Sequence, residues 1–195
     1  MSISQETELK TMLPAAVAAK ILLAYAWEPP FKQTNHYFDT TANDLKHAGS
    51  ALRIRRFADR AEQTLKVRAA TAERSITEYT DPLTLAQADT LLASGTIQTD
   101  GMVTDALNRL GVAASALHVF ASVTTERRQC VLPAGLLVLD HSMFADGTDD
   151  WELEIEYHDH AAAAALLTTI AADFDFVPST SQNKIARAIA HMPGR

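Results

Sequence analysis

Cysteine is nearly absent: the 195 residues hold one, Cys130. That excludes an internal disulfide framework and any CxxC-type zinc site. Cys130 itself reads as a half-buried strand residue. No stretch approaches the ~20 consecutive apolar residues of a membrane span, so no membrane partner is expected. The phosphate-cradling loops GxxxxGK(S/T) and GxGxxG are missing, which excludes nucleotide binding of those two kinds. The seven histidines form no HExxH or other paired spacing and read as structural or surface groups. Positive charge is in deficit. The 17 Lys and Arg against 24 Asp and Glu give a net charge of −7, which argues against a general nucleic-acid binder. The opening Met1-Ser2-Ile3-Ser4-Gln5-Glu6 lacks a basic start and an apolar segment. No signal peptide is expected, and the cytoplasm is the expected location.

What is present suits one folded domain over residues 1–195. Apolar residues make up 47% of the chain and charged residues 21%, a globular balance. No internal repeat or low-complexity linker divides it. Alternation predicts a strand over 4–11, and Pro14 opens a helix to Trp27 that Pro29-Pro30 stops. A strand over 34–39 follows, then one or two helical turns over 41–48 closed by Gly49. Strands over 51–57 and 61–68 read as a hairpin turning at Asp59-Arg60, with a further strand over 74–79. Helical spacing marks 84–93 and 104–110. Strands over 119–132 and 136–141 flank the turn Pro133-Ala134-Gly135, and a glutamate-rich strand spans 151–157. Helices are expected over 161–172 and 181–191, the last capped by Ser179 or Ser181. About eight strands with mostly short links favour an α+β fold with an antiparallel sheet or barrel.

The strands carry charge in a regular way. In Trp151-Glu152-Leu153-Glu154-Ile155-Glu156-Tyr157, side chains of a strand point alternately to opposite faces, so three carboxylates line one face. Like charges so placed repel and need compensation from cations or from basic residues opposite. Glu6, Glu8 and Lys10 repeat this grammar; Arg53 and Arg55 repeat it with opposite sign; Glu62, Thr64, Lys66 and Arg68 form a further charged face, as do Thr125 and Arg127. Two arrangements satisfy the pattern: a sheet with one solvated face, or a wide barrel with a charged, water-filled interior. A charged face built from acidic and basic strands suits metal ions and a polyanion.

These motifs together resemble the CYTH family, the triphosphate tunnel metalloenzymes. Glu6-Thr7-Glu8-Leu9-Lys10 is similar to its ExExK signature, and Tyr37-Phe38-Asp39-Thr40 to its YFDT strand. Gly49-Ser50-Ala51-Leu52-Arg53-Ile54-Arg55 resembles its GxALRxR strand, and Thr64-Leu65-Lys66 its TLK strand. Thr124-Thr125-Glu126-Arg127, Leu139-Asp140-His141-Ser142 and Glu152-Leu153-Glu154-Ile155-Glu156 follow in the family's order. The closing Asn183-Lys184-Ile185-Ala186-Arg187 resembles its N-K-x-x-R helix. Within the family the short bacterial proteins of the YjbK type are most similar.

The resemblance implies a closed eight-stranded antiparallel β-barrel, forming a tunnel, with helices packed outside. It implies a metal-dependent enzyme that hydrolyses a phosphoanhydride bond of a small triphosphate, inorganic tripolyphosphate first; a class IV-type adenylate cyclase and a triphosphate sensor are its alternatives. Lys10, Arg53, Arg55, Lys66, Arg127 and Lys184 are the implied substrate-binding cations. Glu6, Glu8, Asp140, Glu152, Glu154 and Glu156 are the implied ligands of Mg2+ or Mn2+. Lys10, Lys66 and Glu154 are the implied catalytic residues. No nucleic-acid partner is expected, and a homodimer is compatible with this reading.

Overall fold

In the computed structural model the described residues are 1–68, 76–180 and 182–192, the side chains of Gln5 and Glu6 excepted. The chain forms two compact units, one of Met1–Glu6 with Gln33–Val123, the other of Thr7–Lys32 with Thr124–Arg195. Nine strands are present among the described residues, and the recorded pairings between them are antiparallel. The expected count of eight is corrected by a break in the first. The run expected over 4–11 divides into β1 (Ser2–Glu6) and β2 (Glu8–Leu13). At the break Thr7 Oγ1 donates to the Tyr157 carbonyl, and Tyr157 N–H donates to the Thr7 carbonyl. No helix among the described residues is long and apolar enough to cross a membrane.

The first unit orders its strands β1, β6 (Ile76–Leu83), β5 (Ala61–Arg68), β4 (Ser50–Arg56) and β3 (Phe31–Asp39), the last beginning in the second unit. One face of these strands is apolar. Phe38, Leu52, Ile54 and Leu65 pack there against residues from α2 (Asp44–His47), α3 (Leu85–Ser94) and α4 (Met102–Arg109). Each fully buried aliphatic side chain contributes about 1.5–3 kcal/mol. Thr84 and Gln87 form the capping box that starts α3. The helix expected to begin at 104 begins at Met102, because the buried Asp81 carboxylate accepts the Met102 and Val103 N–H groups at 3.0 and 2.9 Å. The expected strand start at Arg74 lies outside the described residues; β6 is described from Ile76.

The second unit orders β7 (His118–Leu132, of which 118–123 belong to the first unit), β8 (Gly135–Met143), β9 (Asp149–Glu156) and β2. Leu137, Leu139, Leu153, Ile155 and Cys130 form its apolar core with Ile21 of α1 (Ala15–Ala24) and Ile170 of α5 (His160–Asp173). Cys130 is thus buried in a core rather than half-exposed. The helix expected to reach Trp27 stops at Ala24, where Tyr25 turns extended and Trp27 Nε1 donates to the Leu22 carbonyl. At the β7–β8 turn Gly135 has φ 143°, and a Cβ there would sit 2.2 Å from the Glu156 carbonyl oxygen, so only glycine fits. The last helix, α6 (Lys184–Ala190), is shorter than expected and is capped by the Asn183 side chain, which accepts from Ala186 N–H at 2.8 Å. Ser181 lies outside the described residues.

Candidate functional site

The second unit gathers most of the expected site residues on one sheet face. Register does this: Lys10 lies opposite Glu154, Glu8 opposite Glu156, Asp140 opposite Glu152, and Arg127 opposite Asp140. Opposed residues of an antiparallel pair share a face, so the alternation that sends Leu153 and Ile155 into the core turns the three glutamates the other way. Asp140, Glu152 and Glu154 are buried there, and an oxygen from each lies within 4.8 Å of the others.

Three cations balance this trio. The Arg127 guanidinium donates to both oxygens of Asp140 at 2.7 Å and to Glu154 Oε2 at 2.8 Å. Lys184 Nζ donates to Asp140 Oδ2 and stands 3.3 Å from Glu152 Oε2 and 3.9 Å from Glu154 Oε1. Arg187 donates to both oxygens of Glu152 at 3.0 and 2.9 Å, with its Nε 2.7 Å from Asp150 Oδ2. Nearer solvent, Lys10 pairs with Glu8, and Arg127 lies 3.8 Å from Glu156 Oε1.

The electrostatics follow from burial opposed by charge. Burial disfavours the charge on Arg127 and Lys184, yet the surrounding carboxylates outweigh it and raise both above their ordinary values. Lys10 is raised in the same way, burial being overcome by Glu8, Glu154 and Glu152. Burial also disfavours the Asp140 carboxylate, but Lys184 and Arg127 hold it well below the usual range. Glu152 is pushed down to about 2, burial being outweighed by hydrogen bonds from Arg187 and the charges of Lys184, Arg187 and Lys10. Asp150 goes the other way: burial and the neighbouring Glu152 raise it despite Arg187.

The first unit carries a second charged face. Asn35, Arg55 and Glu62 lie side by side in register, as do Tyr37, Arg53 and Thr64, and Lys66 lies opposite Glu78. Arg55 Nε donates to Asn35 Oδ1 at 2.8 Å, and Lys66 Nζ is 2.6 Å from Glu78 Oε1. Arg53 Nε is buried without a hydrogen-bond partner among the described residues. A buried guanidinium nitrogen with no acceptor is what an incoming anion satisfies.

Of the expected residues, Glu8, Lys10, Arg127, Asp140, Glu152, Glu154, Glu156 and Lys184 thus share one unit, and Arg53, Arg55 and Lys66 share the other. The side chain of Glu6 lies outside the described residues. Arg187 and Asp150 were given no site role from the sequence. The available signal for Arg187 was its place three residues after Lys184, which sets both on one helix face.

The CYTH domain matches residues 4–189 of this chain. YjbK of Bacillus subtilis (strain 168), provisionally named a triphosphatase, is 31% identical over 193 residues, 96% of this chain and 95% of that protein. A Bacillus halodurans crystal structure, of a protein provisionally named an adenylate cyclase, superposes with a TM-score of 0.86 at 30% identity, covering 96% of this chain and 98% of that one. A Hippeastrum protein provisionally named an adenylyl cyclase, and described as having a dominant triphosphatase activity, shares the fold with a TM-score of 0.82 at 20% identity, covering 95% of both chains.

Proposed function

The chain belongs to the CYTH domain family, and from that premise we propose that it is a metal-dependent triphosphatase whose first substrate is inorganic tripolyphosphate. The observation that carries the reading is the buried trio Asp140, Glu152 and Glu154, with ligand oxygens within 4.8 Å of one another beside Arg127 and Lys184. Clustered carboxylate oxygens are the donors that Mg2+ and Mn2+ take. The residues therefore fit such an ion, with Glu8 and Glu156 as further oxygen donors. When bound, the cation would neutralise phosphate oxygens as charge develops.

The chain's own residues bind and orient. A triphosphate needs several guanidinium and ammonium groups, with arginine suited to two-pronged contacts. Lys10, Arg127 and Lys184 in the second unit, and Arg53, Arg55 and Lys66 in the first, are the groups assigned this role. In the reaction, water oxygen bonds to the terminal phosphorus, the bond to the bridging oxygen breaks, and orthophosphate and pyrophosphate leave. Glu154, its Oε2 held by Arg127, is the carboxylate assigned direct service to that step, with Lys10 of the same unit stabilising the charge. The similarity to YjbK supports hydrolysis; the name of the Bacillus halodurans relative favours cyclisation of ATP as the second reading. A single domain over 1–195 and a cytoplasmic setting are part of the proposal.

The test is phosphate release from tripolyphosphate, ATP and thiamine triphosphate, each with Mg2+, Mn2+ or chelator, with cyclic AMP measured alongside. Metal-dependent release from tripolyphosphate is expected. Cyclic AMP without phosphate release would replace the hydrolase reading by the cyclase one. Tight triphosphate binding without turnover would replace it by a sensor.

A further inference from the structure

Lys184 sits at the start of a helix of seven residues, too short to hold its own place in water. Something must fix α6 for the ammonium to reach Asp140. The helix end is clasped by His191, whose ring stacks on Phe144 at 4.6 Å and whose Nδ1 lies 2.8 Å from Asp146 Oδ2. The helix start is held by Arg187, one turn after Lys184. Its guanidinium reaches both oxygens of Glu152 on β9, the Asp150 carboxylate on the same strand, and the Gln182 carbonyl just before the helix. One planar group thus ties the strand to the segment that presents Lys184.

Arg187 also settles a competition. Lys184 has three carboxylates within 4 Å, and its short contact is to Asp140 rather than Glu152. Both Glu152 oxygens already accept from Arg187. Without those bonds the Glu152 carboxylate would turn to the next cation, which is Lys184, and draw it from Asp140 and Glu154. Arg187 itself is only 8% exposed and its two terminal nitrogens donate to Glu152 and to the Gln182 carbonyl, so it is not a group that meets substrate.

We infer that Arg187 is a positioning residue: by fixing α6 and occupying Glu152, it holds Lys184 at Asp140 and Glu154, the place from which it is proposed to serve the triphosphate. This rests on the substrate-binding role proposed above for Lys184. An arginine suits the place, because its rigid planar fork donates to both oxygens of Glu152 while still reaching the Gln182 carbonyl, a geometry that the single nitrogen of a lysine does not reproduce.

The experiment is a double-mutant cycle. Wild type, Lys184→Met, Arg187→Gln and the double variant are compared for tripolyphosphate KM and kcat, for tripolyphosphate binding by calorimetry, and for thermal melting. Lys184→Met and Arg187→Gln are each expected to weaken tripolyphosphate binding about tenfold, the worth of one charge-assisted contact. The double variant should be no weaker than Lys184→Met alone, since Arg187 acts through Lys184. Should Arg187→Gln fail to fold, Arg187→Lys takes its place in the cycle, with the same expected loss. An Arg187 variant that melts earlier yet binds tripolyphosphate as wild type does would reduce the residue to a structural brace and overturn the inference. Additive losses in the double variant would overturn it as well. Wild type that binds but does not cleave tripolyphosphate sinks the hydrolase reading alone, because the cycle is still read in binding. Wild type that does neither sinks both.

Discussion

Glu152→Gln should remove a pH-dependent share of stability whose size and window follow from the site. The Glu152 carboxylate falls from an ordinary 4.5 to about 2 on folding, because Arg187 and Lys184 outweigh its burial. A depressed carboxylate stabilises the fold fully above its unfolded value and loses that contribution as pH falls through its folded value. The drop from 4.5 to about 2 corresponds to about 3 kcal/mol at neutral pH, of which roughly 2 is gone by pH 3. Glutamine cannot ionise, so the variant lacks this dependence whatever else its amide costs. The assay is urea unfolding of wild type and variant, both in chelator, at several values between pH 7 and pH 3. The stability difference should shrink by roughly 2 kcal/mol across that range, with most of the change below pH 4.5. A difference that stays constant with pH would show that Arg187 and Lys184 do not hold Glu152 ionised, and would refute the electrostatic account of the site.

Three further outcomes follow from contacts in the structure. Arg127→Met leaves the fully buried Asp140 without its two-pronged partner, which should cost about 3–5 kcal/mol; thermal melting should fall by roughly 6–20 °C. Arg53→Ala removes a guanidinium whose Nε has no acceptor among the described residues; tripolyphosphate KM should rise about tenfold or more while melting stays near wild type. Gly135→Ala places a methyl group against the Glu156 carbonyl at φ 143°; a loss of about 1–3 kcal/mol in urea unfolding is expected, and an unchanged midpoint would refute the steric reading of that turn.

The charged face of the candidate site was legible where chemistry and strand period coincide. In β9 the alternation of glutamates with Leu153 and Ile155 states both which face is core and which face is charged, and the structure keeps that division. Lys10, Asp140 and Arg127 join the glutamates through register, which an isolated strand cannot announce but a hairpin turn at Pro133-Ala134 helps to set. Features that depend on distant partners were hidden. The break at Thr7 interrupts a run whose alternation continues straight through it, and only the Tyr157 backbone marks the place. The true start of α4 depends on Asp81, some twenty residues earlier and on a strand. Arg187 closes the N-K-x-x-R motif, but its role stayed hidden because its carboxylate partners lie on β9.

The central claim is that the carboxylates facing Arg127 and Lys184 serve a metal-dependent cleavage of triphosphate. Its most direct test is the rate of phosphate release from tripolyphosphate with Mn2+ or Mg2+ by wild type and Glu154→Ala, both shown folded by circular dichroism. A wild-type rate that chelator abolishes, and that the variant lacks by a hundredfold or more (about 3 kcal/mol of transition-state stabilisation), is the predicted result. A folded variant that releases phosphate at the wild-type rate would contradict the assignment.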